Sequence, residues 1–105
     1  MILKNKFLEL PLHDAILKTI IFNWHELRVE LILSVFIDPN RFAIPCQLII
    51  HEVQDAVCPH LSPWGDSSSV NSISEDFGIY KIQMQSGDTL IFKGKNFEFN
   101  QIEGK

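Results

Sequence analysis

The adjacent residues His13 and Asp14 come nearest to acid–base chemistry in this chain of 105 residues. A carboxylate beside an imidazole can orient the ring for proton transfer. The alternative is that Asp14 closes a turn while His13 packs at the start of a strand. His51 and Glu52 are also neighbours, but adjacent side chains in a strand point to opposite faces. That second pair therefore cannot cooperate directly.

Metal or cofactor chemistry has little support in the sequence. Four side chains could ligate a metal, and their spacing matches no zinc pattern; they are Cys46, His51, Cys58 and His60. The five glycines stand singly, which excludes a phosphate-binding Walker loop and a dinucleotide fingerprint. The chain also lacks a GxSxG nucleophile elbow. We therefore expect no metal and no cofactor, assign no catalytic residue, and favour a protein that is not an enzyme.

Two less generic strings suggest a binding site. One is Pro63-Trp64-Gly65-Asp66-Ser67, followed by Asn71, and the other is Met84-Gln85-Ser86-Gly87-Asp88. A Trp in a loop rich in Pro, Gly and Ser is either a lid over the core or an exposed anchor for a partner. Ser86 and Asp88 can instead accept hydrogen bonds from their own turn. The candidate binding residues are His13, Asp14, Trp64, Asp66, Asn71, Ser86 and Asp88.

Charge and hydropathy exclude several classes of partner. Nine basic residues against thirteen acidic ones give a net charge of -4, and the basic residues are scattered. Nucleic acid is therefore disfavoured, because phosphate binding needs a concentrated positive face. The apolar stretches fall far below the roughly 20 residues of a membrane span. Two cysteines without a CxxC motif, and no signal peptide, indicate a cytoplasmic protein with reduced thiols.

The composition favours strands as the elements that position these residues, because Ile (14) and Leu (11) are common and the helix-forming Ala (3) is scarce. Alternating apolar residues over 27–37 predict a strand with one face in the core. Residues 14–26 form either its hairpin partner or a helix capped by Asp14. The run Thr19-Ile20-Ile21-Phe22 favours the hairpin.

Further strands follow a predicted turn at 38–41. The next strand covers 42–53, with Pro45 at an edge or a bulge and the regular part from Cys46, and 54–69 is a long loop with one short extended piece. Strands at 70–74, 79–85, 89–93 and from Phe97 complete the chain. We predict one all-β domain over 1–105, with six to eight antiparallel strands in a meander-like order. The sheet system is a curled sheet, an open barrel or a small sandwich, and its edge strands are compatible with a homodimer.

Three ordered motifs resemble those of a group of small, uncharacterised bacterial proteins over residues 12 to about 99. The motifs are Leu12-His13-Asp14-Ala15, the string from Pro63 to Asn71, and Met84-Gln85-Ser86-Gly87-Asp88. The first motif, followed by a β-hairpin, is more distantly similar to a family of immunity proteins that neutralise polymorphic toxins. That resemblance implies stoichiometric binding of a toxin, with Asp14, Asp66 and Asp88 facing a basic active site.

Three functional hypotheses follow. One is that the motifs are structural, with Asn71, Gln85 and Ser86 satisfying loop backbone groups, and that the function lies in assembly; the other two assign a function to the motifs themselves. The first is a non-enzymatic protein-binding module of the immunity type, which contacts its partner through the Trp64 loop and the turn at Asp88. The second is a small ligand-binding domain or enzyme, with a pocket around His13, Asp14 and Asp88 that Trp64 closes.

Overall fold

The computed structural model describes residues 6–36 and 42–102, and it is an all-β structure of eight strands. The strands are β1 (Ile16–Asn23), β2 (Arg28–Val35), β3 (Ile44–His51), β4 (Asp55–Val57), β5 (Val70–Asp76), β6 (Ile79–Met84), β7 (Thr89–Lys93) and β8 (Asn96–Gln101). They form two four-stranded antiparallel sheets, ordered β1-β2-β3-β8 and β4-β7-β6-β5. The all-β prediction is confirmed, and the sheets are not closed into a barrel.

The first hairpin resolves the choice between strand and helix over 14–26. Ile16–Asn23 is a strand that pairs antiparallel with Arg28–Val35, so the helix alternative is wrong. The turn between them is stabilised by Asn23 Oδ1, which accepts a hydrogen bond from Glu26 N at 3.1 Å. In β2 every second residue is buried, as the alternation predicts. The end of the predicted strand at Ile37 lies outside the described residues.

Pro45 lies at the start of an interior strand without a bulge, so β3 is not an edge strand, but its regular pairing on both sides begins at Cys46, as predicted. Strand β3 pairs with β2 on one side and with β8 on the other, without a register shift. The proline is tolerated because the pairing with β8 starts only at Cys46, one residue later. The Pro45 carbonyl still accepts a hydrogen bond from Ile102 N at 2.9 Å. The predicted turn at 38–41 lies outside the described residues.

The second sheet follows the predicted strands closely. The short extended piece of the long loop is β4, and β7 has the predicted bounds. The chain returns to the first sheet at Gly94, where a Cβ would lie 2.8 Å from His51 O. Only glycine allows the two sheets to approach so closely there.

One hydrophobic core joins the two sheets and the N-terminal segment. Its members from the strands include Val29, Leu31, Leu33, Val35, Cys46, Leu48, Ile50, Val70, Tyr80, Ile82, Met84, Leu90, Phe92 and Phe99. A 3-10 turn at Phe7–Glu9, which the sequence analysis did not predict, adds Phe7 to the core. Its ring packs edge-on against Tyr80 and Phe97, with centroids 5.0 and 5.4 Å away. No helix in the described residues is long and apolar enough to cross a membrane.

Candidate functional site

The backbones of the three sequence motifs contact one another. The start of β5 lies beside the first motif, since Asp14 N donates to Val70 O and Val70 N donates to Ala15 O, both at 2.8 Å. The third motif joins them through Gln85 N, which donates to Ser69 O at 2.8 Å. The motifs are far apart in the sequence, and β-strand pairing brings them together.

Side chains of the first motif add further bonds to this contact. Gln85 Nε2 donates to Asp14 Oδ1 at 2.7 Å. His13 Nδ1 lies 2.8 Å from Asn71 O, and because a carbonyl only accepts, Nδ1 is the donor in this hydrogen bond. The other ring nitrogen, Nε2, lies 3.6 Å from Asp14 Oδ2 at the surface. Asp14 has a φ of 67°, so it also occupies the turn that the sequence analysis offered as its alternative role.

Asp88 is a buried carboxylate, 5% exposed, that accepts hydrogen bonds from the backbone of the preceding loop. Its Oδ1 accepts hydrogen bonds from Leu61 N at 2.8 Å and Ser62 N at 2.9 Å. Its Oδ2 accepts one from the hydroxyl of the buried Ser86 at 2.8 Å. Both carboxylate oxygens are therefore engaged within the protein.

Burial by itself raises the pKa of the Asp88 carboxyl. The hydrogen bonds from Ser86 and from the backbone at 61 and 62, with a smaller contribution from His60, outweigh burial and hold the pKa below its ordinary value. These donors all stabilise the charged form. Asp88 is thus an anion at neutral pH, and its charge organises the loop.

The depressed pKa of Asp88 makes stability depend on pH. An unfolded Asp has a pKa of about 3.9, so on acidification the unfolded chain binds the proton first. The contribution of Asp88 is complete above that pKa and is lost as the pH falls through the folded-state pKa. We expect the wild-type melting temperature to fall between about pH 5 and pH 3, and that of Asp88→Asn to fall less. Thermal unfolding followed by circular dichroism measures how the melting temperature of each protein changes with pH. Equal changes for the two proteins would contradict the depressed pKa of Asp88.

The loop segment 61–64, which we call the anchor loop, is held at three backbone positions. Two are the bonds to Asp88, and the third is Trp64 N, which donates to Ser86 O at 2.7 Å. Ser62 has a φ of 47°, a conformation that costs free energy in a residue with a side chain. The three bonds fix this strained backbone in one conformation.

The anchor loop presents apolar side chains to solvent. Leu61 is 83% exposed and Trp64 is 71% exposed, so Trp64 does not cover the core. One edge of the indole rests on Gly87, where a Cβ would lie 2.7 Å from both Trp64 Cδ2 and Pro63 Cγ. Gly87 therefore has to lack a side chain for Trp64 to keep its position.

His13 and Asp14 do not share a pocket with Asp88. They line a shallow cleft with Leu10, Pro11 and Phe36. Asp66, Ser86 and Asp88 line a different cleft beside β1, and Trp64 lines neither. The structure thus places the seven candidate residues in one region, but without a single pocket beneath Trp64.

The other reactive side chains that the structure describes do not form a second site. Burial raises the pKa of both thiols, Cys46 and Cys58, which disfavours the nucleophilic thiolate. Neither cysteine forms a disulfide. Residues 6–36 and 42–102 contain no group of three or more His, Cys, Asp or Glu side chains that could hold a metal ion.

The sequence analysis missed Leu61, which lies beside Trp64 in the anchor loop, and the exposed Trp24 in the first hairpin turn. A large apolar residue two positions before Pro63 in a polar loop was the available signal for Leu61.

Comparisons with protein-family models, with curated proteins and with solved structures give no match.

Proposed function

We propose that this chain is a protein-binding module whose contact surface is the anchor loop, with Leu61 and Trp64 as its main contacts. The observation that carries the proposal is that a buried carboxylate and three backbone hydrogen bonds fix a strained loop whose apolar side chains face water. Burying a charge costs free energy.

A rigid apolar anchor suits protein recognition. Few residues supply most of the energy of an interface, and Trp is prominent among them. A loop held in one conformation before binding avoids the entropy cost of ordering it in the complex. Asp66 is exposed beside the anchors and provides a polar rim.

The resemblance to immunity proteins extends the proposal to the kind of partner. In that case the chain binds a toxin domain in a one-to-one complex and performs no turnover. Asp14 and Asp66 are exposed carboxylates and can face a basic active site, whereas Asp88 has both oxygens occupied within the protein. In the proposed complex Asp88 supports the anchor loop and does not contact the toxin.

Substituting Trp64 tests this function. We expect Trp64→Ala to weaken partner binding by about 30-fold or more, because truncating a central aromatic anchor costs about 2 kcal/mol or more. We also expect the melting temperature to change by less than about 3 °C, since the side chain is largely exposed. The partner is identified by affinity purification from the native cells with quantitative mass spectrometry, then purified for calorimetry.

Trp24→Ala is the matched control, because Trp24 is 90% exposed and lies in the β1–β2 turn, outside the anchor loop. The proposal requires one protein that wild type and Trp24→Ala retain and that Trp64→Ala and Leu61→Ala lose. Equal retention by all four proteins, or no specific partner of the wild type, would refute it.

A further inference from the structure

Strand β1 has an open outer edge. It is the outermost strand of its sheet, and only its start is covered. There Leu17 N donates to Ser68 O at 2.9 Å and Ile16 forms an isolated bridge with Ser69. Within the described parts of the chain, residues 18–23 have no backbone partner on that side. A row of free N–H and C=O groups is a template for another strand.

The side chains of β1 suit a strand that has another beside it. Ile20 and Phe22 lie opposite the buried Leu31 and Val29, so both are on the inner face, where the open edge leaves Phe22 51% exposed. Ile21 lies on the outer face and is 44% exposed. Lys18 is the only charged residue in the strand. Among the edge strands of the described residues β1 is the most apolar, since β4 has three residues, β5 ends in two acidic residues and β8 contains Glu98.

An open cleft lies beside this edge. It has a volume of about 340 Å³, with an apolar part formed by Leu17, Ile20, Met84 and Leu90 and a polar part that includes Lys18, His60, Asp66, Ser86 and Asp88. The inward-facing side chains of an added strand would enter this space and extend the core. A strand with an apolar inner row would match the apolar part of this lining.

We propose that two copies of this chain associate by antiparallel pairing of their β1 strands about a two-fold axis. The two four-stranded sheets then become one continuous sheet of eight strands. Pairing centred on Ile21 sets each Ile21 against its counterpart on the outer face. On the inner face it sets Ile20 against Phe22 of the second copy, which places an apolar row beside the apolar part of the cleft.

Self-pairing is favoured over an unrelated strand because β1 complements itself. In this register the two Lys18 side chains lie at opposite ends of the pair, so no like charges face each other. The same strand provides both the open edge and the apolar residues that fill it. This contact does not use Leu61 or Trp64, although Asp66 and Asp88 line the cleft beside it. Variants of β1 and variants of the anchor loop therefore test the two proposals separately.

A charge at the centre of the pair tests the proposal. We expect the wild type to sediment at twice its chain mass of 12.1 kDa. Ile21→Lys places two cations against each other and should raise the dimer dissociation constant by about 100-fold or more. Val57→Lys is the matched control, because Val57 is 48% exposed on the edge strand β4 of the other sheet. It should leave the dimer intact.

Cross-linking tests the register without relying on a charge. Residues directly opposite in antiparallel strands have Cα atoms about 4.5–5.5 Å apart, within reach of a disulfide. In a Cys58→Ser background, Ile21→Cys should form a covalent dimer under mild oxidation, and Val57→Cys should not. A wild type that stays monomeric at all concentrations overturns the proposal. So does a dimer that tolerates Ile21→Lys, or one that cross-links only through Val57→Cys.

Discussion

Asp88→Ala should lower the melting temperature by more than about 5 °C and release the anchor loop. The substitution removes the acceptor for Leu61 N and Ser62 N and leaves the Ser86 hydroxyl without its partner. Losing the acceptor of these partly buried backbone donors and of the buried Ser86 hydroxyl is costly, and without the bond to Asp88 the positive φ of Ser62 is no longer held in place. Thermal unfolding gives the loss of stability. Hydrogen exchange at Leu61 and Ser62, which should speed up well before global unfolding, reports release of the loop.

Asp66→Ala is the control for this result, since Asp66 is an exposed carboxylate close to the same loop. Its melting temperature should stay within about 3 °C of the wild type. If the two variants behave alike, Asp88 does not hold the anchor loop, and the basis of the proposed function fails as well.

Alternation of apolar residues predicted most strands correctly. It located the β1–β2 hairpin and gave β7 its bounds, because in these strands one face is buried and the other is not. It could not show which strands are edges. Pro45 was assigned to an edge or a bulge, yet β3 gains a second neighbour from β8, which lies some fifty residues further along the chain. Such long-range pairing leaves no local signal in the sequence.

The candidate site was predictable in its residues but not in its connections. Trp64 and Asp88 stood out as unusual types in turn-forming strings, and turn chemistry suggested that Asp88 bonds its own turn. It does bond Ser86, but its main backbone partners are Leu61 and Ser62, 26 or 27 positions away. The bond from Gln85 to Asp14 spans 71 positions. Composition and spacing carry no information at that range.

The N-terminal segment was missed because it follows neither the helical nor the strand period. Phe7, Leu10 and Leu12 are all buried, although only a 3-10 turn of three residues orders the first of them. Their burial depends on the space that the edges of the two sheets leave open, which only the assembled fold defines. This segment also leads directly into His13 and Asp14, so its packing sets where the first motif lies.

Phe7→Ala should therefore cost about 3–5 kcal/mol in the free energy of unfolding, the usual range for a buried Phe. The ring is 2% exposed and packs edge-on against Tyr80 and Phe97, so its removal leaves a cavity between two strands. Denaturant unfolding measures the loss. The neighbouring Leu8 is largely exposed, and Leu8→Ala should cost less than about 0.5 kcal/mol. Equal costs for the two variants would mean that the N-terminal segment does not form part of the core.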